Sequence, residues 1–243
     1  MKYRNFGKLD VNISALGFGC MRFPTVEGTT MSSNIIEEEA MKMLRYAIDN
    51  GVNYVDTAYP YHGGQSEVIV GRALKDGYRE KVFLATKCPV WLIKEPGDFD
   101  KYLDEQLEKL QTDHIDFYLL HALGKERWEE TVLKHKLLEK AEMAKKQGKI
   151  KYIGFSFHDK PEVFTQIVDG YDKWDFCQIQ YNYMDIENQA GQKGLRYAAS
   201  KGLGVIVMEP LLGGKLANPP KPILDVFDTS DKVRGAVDWA LQW

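Results

Sequence analysis

The chain has 243 residues, which suits one large α/β domain or two small ones and is enough to bury a sizeable core. A net charge of −3, with no block of about five or more like charges, argues against a nucleic-acid partner. No apolar run approaches the roughly 20 residues that span a bilayer, and residues 1–4 lack the apolar segment of a signal peptide. We therefore expect a cytoplasmic protein with no membrane partner; nothing in the chain indicates its oligomeric state.

The three cysteines, Cys20, Cys88 and Cys177, stand far apart, and none belongs to a Cys-x-x-Cys pair. Zinc and iron–sulfur sites usually draw their thiolates from such closely spaced pairs. We therefore predict no metal site, and three reduced cysteines that serve as small buried side chains.

The N-terminal residues 2–13 have the pattern of a β-hairpin. Two short runs flank Gly7 and Lys8, and glycine at the first place of a two-residue loop is typical of a type II′ turn. A small apolar strand follows over residues 15–19, where Gly17 and Gly19 let another backbone or a ligand approach closely.

From this strand onward, apolar runs alternate with segments of helical spacing. Glycines such as Gly51 and Gly148 end helices, and Ser66 is placed to cap the second helix. The predicted strands cover residues 15–19, 52–56, 81–87, 115–121, 150–156, 176–180 and 204–209. The predicted helices cover residues 36–50, 66–74, 99–110, 137–147, 161–169, 188–200 and 230–243.

Regular βα alternation implies a parallel sheet with right-handed crossovers, either doubly wound or closed as a (β/α)8 barrel. A doubly wound dinucleotide fold would place Gly-x-Gly-x-x-Gly after its first strand, but residues 17–22 supply only the first two glycines. Barrels take about 250 residues for eight units, and this chain reaches Trp243 in its seventh helix. We predict a single (β/α)8 TIM-barrel domain over 1–243 with an N-terminal hairpin. We expect the eighth βα unit to be absent and the chain to be a C-terminally truncated fragment.

Every predicted strand from the second onward ends on a polar or ionisable residue. In such barrels the site lies at the carboxyl ends of the strands, so these side chains should meet at one mouth. Alone, each is most simply a loop cap, a solvated chain end or a structural histidine; their conjunction indicates a site. They are Asp56, Lys87, His121, Ser156, Gln180 and Glu209.

The chemistry of four groups at this mouth is complementary. Asp56 would hold Lys87 charged, and that ammonium would lower the phenol pKa of Tyr61 from about 10. Tyr61 would then donate a proton to a substrate carbonyl oxygen, while His121 donates a hydrogen bond to the same atom. None of these residues supplies a hydride, so the arrangement requires a cofactor.

These residues lie in segments that resemble the aldo-keto reductase family over essentially the whole chain. The segments are residues 56–63, 86–87, 119–121, 148–156, 180–182 and 208–216. The resemblance implies a (β/α)8 barrel that binds NADP(H) without a Rossmann fold. It also implies a catalytic tetrad at Asp56, Tyr61, Lys87 and His121, with family spacing selecting Tyr61 over Tyr59. The last segment is similar to a bacterial subgroup whose members often carry a C-terminal ferredoxin-like tail, which is absent here.

The resemblance also assigns a cofactor site. It implies that Ser156 and Gln180 hold the carboxamide of the nicotinamide and that the glycine turn after the seventh strand binds the pyrophosphate. The sequence departs from the family at Glu209, where many relatives have an aromatic residue, and at Phe157, where an amide is common. The full set of implied cofactor residues is Gly19, Met21, Arg22, Asp56, Ser156, Gln180, Glu209, Leu211, Gly213 and Lys215.

Substrate selection is expected in the loops over the mouth, where Trp91 and Trp128 would wall an apolar pocket for a small carbonyl compound. The leading hypothesis is an NADP(H)-dependent oxidoreductase that reduces an aldehyde or ketone. Two alternatives stay open: a cofactor-binding regulatory or redox-sensing protein with little turnover, and a barrel isomerase or lyase that needs no nicotinamide.

Overall fold

Nine strands and nine helices make up the fold. The structure, a computed structural model, describes residues 1–243. The strands are β1 (Tyr3–Asn5), β2 (Asn12–Ser14), β3 (Phe18–Gly19), β4 (Tyr54–Asp56), β5 (Phe83–Cys88), β6 (Ile115–Leu123), β7 (Ile150–Phe157), β8 (Phe176–Gln180) and β9 (Gly204–Met208). The helices are α1 (Glu37–Asp49), α2 (Gln65–Ala73), α3 (Gly97–Leu110), α4 (Lys125–Arg127), α5 (Leu137–Lys146), α6 (Pro161–Asp169), α7 (Gly191–Ser200), α8 (Lys221–Phe227) and α9 (Ala236–Gln242).

Strands β3 to β9 form one parallel sheet in chain order, and β1 and β2 form a separate antiparallel hairpin. The edge strands β3 and β9 do not pair with each other, since β3 pairs with β4 and β9 with β8. The predicted fold is confirmed: an incomplete TIM-type barrel with an N-terminal hairpin, open between β3 and β9.

The helices pack on the outer face of the sheet through apolar residues at helical spacing. In α1 the buried positions are Ala40, Leu44 and Ile48, each one turn from the next. Gly51, at a φ of +93°, follows the helix in a conformation that favours glycine.

Side-chain alternation along the strands divides the interior into two layers. In β6, Tyr118 and Leu120 belong to the layer under the helices, whereas Phe117 and Leu119 face the barrel lumen. His121, two residues after Leu119, faces the lumen by the same alternation. The same alternation turns Lys87 of β5, two residues after the lumen-facing Ala85, toward the barrel axis.

The hairpin covers the bottom of the barrel. Phe6 is buried, and its ring lies 5.5 Å from that of Phe117 and 6.0 Å from that of Phe176. Gly204 lies against the same ring, where a Cβ atom would approach within 2.5 Å. These contacts close the lumen at the end opposite the strand termini that carry the polar residues.

The hairpin register differs from the prediction. Phe6 N donates to Val11 O at 3.0 Å, so the loop spans residues 7–10 and is longer than the expected two residues. Lys8 N donates to Gly202 O at 2.8 Å. Contacts between the turn and the barrel, and not the Gly7–Lys8 pair alone, therefore decide where the chain reverses.

Several element boundaries also differ from the prediction. The strand expected over 15–19 contracts to Phe18–Gly19, and the helix expected from 188 begins at Gly191. The last predicted helix begins at Ala236, and the preceding helix α8 was not predicted because it buries none of its residues. Ser66 lies inside α2, where its hydroxyl bonds the buried Thr57 hydroxyl at 2.8 Å and does not cap the helix.

All three cysteines are buried and unpaired, which confirms the prediction for them. No helix has the length and apolar character that crossing a membrane would need.

Candidate active site

Lys87 is the buried centre of the polar residues at the barrel mouth. Its ammonium has three donors, and Nζ lies 2.6 Å from Asp56 Oδ1, 2.8 Å from Thr57 O and 3.1 Å from Tyr61 Oη. Burial favours the neutral amine, but the carboxylate of Asp56, with the hydrogen bonds to Asp56 and Tyr61, outweighs it and raises the pKa of Lys87 to about 12. Lys87 is therefore a fixed cation aimed at the phenol oxygen.

A residue that the sequence reasoning missed holds the other carboxylate oxygen of Asp56. Gln178 Nε2 donates to Asp56 Oδ2 at 2.9 Å. Gln178 lies in β8 between the lumen-facing Phe176 and Gln180, so the period of two along the strand was the available signal. Asp56 is thus fixed from two sides.

Tyr61 enters the site on a short turn with an unusual backbone. His62 has a φ of +54°, and Gly63 and Gly64 also have positive φ. The buried His62 ring accepts a hydrogen bond from Phe23 N at Nε2 (3.2 Å) and donates from Nδ1 to Ser32 O (2.7 Å). These two bonds select one neutral tautomer and hold in place the turn that carries Tyr61.

The pKa of Tyr61 differs from the expectation. Burial of the phenol raises its pKa above the ordinary value, and the opposing charge of Lys87 is not enough to reverse that effect. The expected lowering was wrong because it counted the ammonium and not the loss of water around the ring. Tyr61 is therefore a protonated phenol across the ordinary pH range.

His121 lies beside Tyr61, with the two rings 6.1 Å apart and nearly perpendicular. Burial lowers the pKa of His121 well below its usual value, and the positive charges of Lys87 and Arg127 add to this effect. Its Nδ1 atom is buried without a partner. His121 is thus a neutral imidazole with one N–H group to donate.

Behind β5, a buried polar cluster fixes the backbone of Lys87 from the helix side. Gln106 Nε2 donates to Lys87 O at 3.1 Å and to Glu67 Oε1 at 2.6 Å, and Thr86 Oγ1 donates to the same carboxylate oxygen at 2.6 Å. Burial raises the pKa of Glu67 above its ordinary value. The sequence reasoning did not identify this cluster, because Glu67 and Gln106 lie on separate helices.

Ser156 and Gln180 lie at the mouth but are engaged by the chain. The Ser156 hydroxyl accepts a hydrogen bond from Ala122 N at 2.7 Å. The Gln180 carboxamide donates to Asp185 at 2.8 Å and accepts from Gln189 at 3.0 Å. The Ser156 hydroxyl proton and the second N–H of Gln180 remain available to a ligand.

The other expected cofactor residues gather where the barrel is open. Arg22, after β3, lies with its Nη2 atom 3.8 Å from Glu209 Oε1, after β9. Gly213 and Gly214 turn with φ of +65° and +95°, and a Cβ atom on Gly214 would meet nothing within 4 Å. Half-buried Met21 and Leu211 and exposed Gly19 and Lys215 lie in the same two segments. An exposed glycine turn beside two cations, Arg22 and Lys215, suits a phosphate-bearing group.

The two tryptophans occupy different environments. Trp91 is exposed at the mouth, 5.1 Å from the His121 ring. Trp128 is 2% exposed and packs 6.3 Å from Trp174. Trp91 is therefore placed to contact a substrate, and the burial of Trp128 argues against its role as a pocket wall.

Comparison with known proteins shows the family of the chain. A model of the aldo/keto reductase family matches residues 15–241. The chain belongs to the aldo/keto reductase family of oxidoreductases.

Individual relatives are similar over most of the chain. Oxidoreductase YrpG of Bacillus subtilis is 30% identical over 238 residues, which span 89% of this chain and 68% of that protein. L-galactose dehydrogenase of Arabidopsis thaliana is 30% identical over 231 residues, which span 91% of this chain and 69% of that protein. The holo form of aldo-keto reductase AKR11C1 from Bacillus halodurans superposes with a TM-score of 0.79 at 27% identity, covering 100% of this chain and 81% of its own.

Proposed function

We propose that this protein is an NADP(H)-dependent carbonyl reductase that acts on an aldehyde or ketone. The observation that carries the proposal is the 3.1 Å contact between Lys87 Nζ and Tyr61 Oη, with the His121 ring at the side of the phenol. A hydride added to the carbonyl carbon and a proton added to the oxygen together give the alcohol. The chain supplies the proton, and NADPH, when bound, supplies the hydride.

Tyr61 is the proton donor in this proposal. Its raised pKa keeps the phenol protonated until the carbonyl oxygen gains negative charge. Lys87 stabilises the phenolate that remains after the transfer, because its ammonium is already oriented by Asp56 and Thr57. The proton returns to Tyr61 from solvent before the next turnover.

His121 orients the substrate. A neutral imidazole donates one hydrogen bond without adding a second full charge beside Lys87. The low pKa of His121 also excludes it as the main acid near neutral pH, which leaves that role to Tyr61.

The cofactor would be held at the open side of the barrel. Gly213, Gly214 and Lys215 would meet its phosphates, and Ser156 and Gln180 would meet its carboxamide. Glu209 is placed beside Arg22, so we propose that this pair orders the segment over the ring in place of an aromatic side chain. The choice of NADP(H) over NAD(H) follows the family resemblance.

The test is Tyr61→Phe, with Tyr59→Phe as its matched control. Tyr59 lies two residues earlier, but its hydroxyl donates to Glu105 at 3.2 Å, away from Lys87. We expect Tyr61→Phe to lower carbonyl-dependent NADPH oxidation roughly 100-fold or more, with Tyr59→Phe close to wild type. NADPH binding, followed by quenching of tryptophan fluorescence, should be nearly unchanged in both.

Undiminished turnover in Tyr61→Phe would refute the mechanism. NADPH binding by the wild type with no turnover across a panel of aldehydes, ketones and quinones would instead support a regulatory or redox-sensing protein. Failure to bind either nucleotide would favour the isomerase or lyase alternative.

A further inference from the structure

Arg127 lies at the mouth next to the groups proposed to hold the carbonyl. It ends α4, the short helix that follows β6 and His121. The guanidinium carbon lies 5.5 Å from the centre of the Trp91 ring, and that ring lies 5.1 Å from His121. Arg127 Nη1 donates to Ala122 O at 2.6 Å, which fixes the side chain to the backbone directly after His121.

The charge of Arg127 has no partner in the chain. A guanidinium has five N–H donors, and only one of them is used, by a neutral carbonyl oxygen. No carboxylate lies within 4.0 Å of the half-buried Arg127. The other two arginines without an ion pair, Arg4 and Arg196, are exposed to solvent. The remaining five arginines each pair with a carboxylate: Arg22, Arg45, Arg72, Arg79 and Arg234. A half-buried cation without a counter-ion is unfavourable, so a ligand carboxylate would be bound strongly there.

The carboxylates near this part of the mouth are already engaged. Asp159 accepts hydrogen bonds from Lys125 N and Lys160 N, both at 2.8 Å. Asp56 is held by Lys87 and Gln178. Arg127 brings a positive charge to this side of His121, whereas burial lowers the pKa of His158 and favours its neutral form. The mouth beside His121 therefore attracts anions.

We propose that Arg127 forms a binding subsite for a carboxylate, and that the preferred substrates are aldehydes or ketones that carry one. The planar guanidinium matches a carboxylate through two parallel hydrogen bonds, and Trp91 supports one of its faces. The carbonyl would lie at Tyr61 and His121 and the carboxylate at Arg127. This inference rests on the proposed reductase function and names the substrate class for it.

The test compares two substrates of the same shape, 4-carboxybenzaldehyde and 4-formylbenzamide, which differ in charge. We expect the wild type to favour 4-carboxybenzaldehyde. Arg127→Gln should raise the KM for this acid about ten- to a hundredfold, while kcat and the KM for the amide change little. Arg127→Lys should restore part of the preference, since it keeps the charge without the planar fork. Lys125→Gln, an exposed neighbour of the same charge, is the matched control and should behave as wild type.

Equal KM values for the two substrates in the wild type, or an equal loss on both in Arg127→Gln, would overturn the subsite. If the wild type reduces neither compound, the proposed function is in question. The carboxylate subsite is then tested separately by ligand binding. Benzoate should quench the fluorescence of Trp91 in the wild type more than benzamide does, and Arg127→Gln should abolish the difference. Loss of the quenching signal in Trp91→Phe would show that it comes from Trp91. Equal quenching by benzoate and benzamide in the wild type would refute the proposal. NADPH affinity should be unchanged in all Arg127 variants.

Discussion

The pairing of Asp56 with Lys87 makes a strong prediction about stability. Asp56→Asn keeps the size of the side chain but removes the charge 2.6 Å from a lysine that is 1% exposed. The buried ammonium would then face only the neutral oxygens of Thr57 and Tyr61. The variant therefore isolates the energy of the carboxylate.

The magnitude follows from the pKa of Lys87, which is raised from 10.5 to about 12. That shift alone corresponds to about 2 kcal/mol. Because burial acts in the opposite direction, the carboxylate contributes more than the net shift, and removing one partner of a buried pair typically costs about 3–5 kcal/mol. We expect a loss of this size in the free energy of unfolding near pH 7.

The free energy of unfolding depends on pH with opposite signs in the wild type and in Asp56→Asn. In the wild type the folded pKa of Lys87 lies above the unfolded value, so its stabilisation is complete below about pH 10.5 and is lost toward pH 12. In Asp56→Asn, burial should depress the folded pKa of Lys87, so the destabilisation is largest at low pH and shrinks as pH rises toward 10. The difference between the two unfolding free energies should therefore be smaller at pH 10 than at pH 7.

Urea denaturation at both pH values measures this difference. Glu37→Gln is the control, since it breaks an ion pair with Arg72 of nearly equal length (2.7 Å) whose side chains are 41% and 47% exposed. We expect that change to cost no more than about 1 kcal/mol. A loss below 1 kcal/mol in Asp56→Asn, or the same loss at pH 7 and pH 10, would refute the reasoning.

Three further predictions concern the residues around the proposed proton donor, Tyr61. Gln178→Met should lower kcat roughly tenfold with NADPH affinity unchanged, because Asp56 loses its second fixed hydrogen bond (about 1.5–3 kcal/mol for a charged partner); an unchanged kcat would exclude a positioning role. His62→Phe should lower kcat and speed hydrogen exchange of the amides in residues 23–33, because the ring loses its bonds to Phe23 N and Ser32 O. Exchange protection equal to that of the wild type would show that His62 does not hold this loop in place. The low pKa of His121 and the raised pKa of Tyr61 predict that kcat/KM with a neutral substrate has no inflection between pH 6 and 8 and falls only above pH 10; a break near 6.5 would contradict both.

The ends of the strands were predictable because parallel strands bring their carboxyl termini to one edge. Lys87 and His121 each end an apolar run, and the structure turns both into the lumen. The alternation of elements likewise predicted the order of the sheet without knowledge of its pairing. These features depend on local pattern and on the general geometry of βα units.

The remaining features depend on distances between parts of the chain that the sequence does not give. The direction of the Tyr61 pKa shift depends on how completely the ring is buried, which loops far away in the chain decide. Gln178 meets Asp56 across 122 positions, and Glu67 meets Gln106 between two helices. Helix α8 escaped prediction because it is only seven residues long and none of them is fully buried.

The apolar filling of the lumen limits the depth of the active site. Directly below His121 on β6 lie Leu119 and Phe117, and Phe117 already touches the ring of Phe6 at the barrel bottom. His121 lies four residues beyond Phe117, which is about 13 Å along the strand. With the proposed function, a substrate would therefore react at the rim, since there is no lower chamber for it to enter. Exchange of the loops that follow β5 and β6 should change which compounds are accepted while leaving the barrel floor, and the stability it provides, intact.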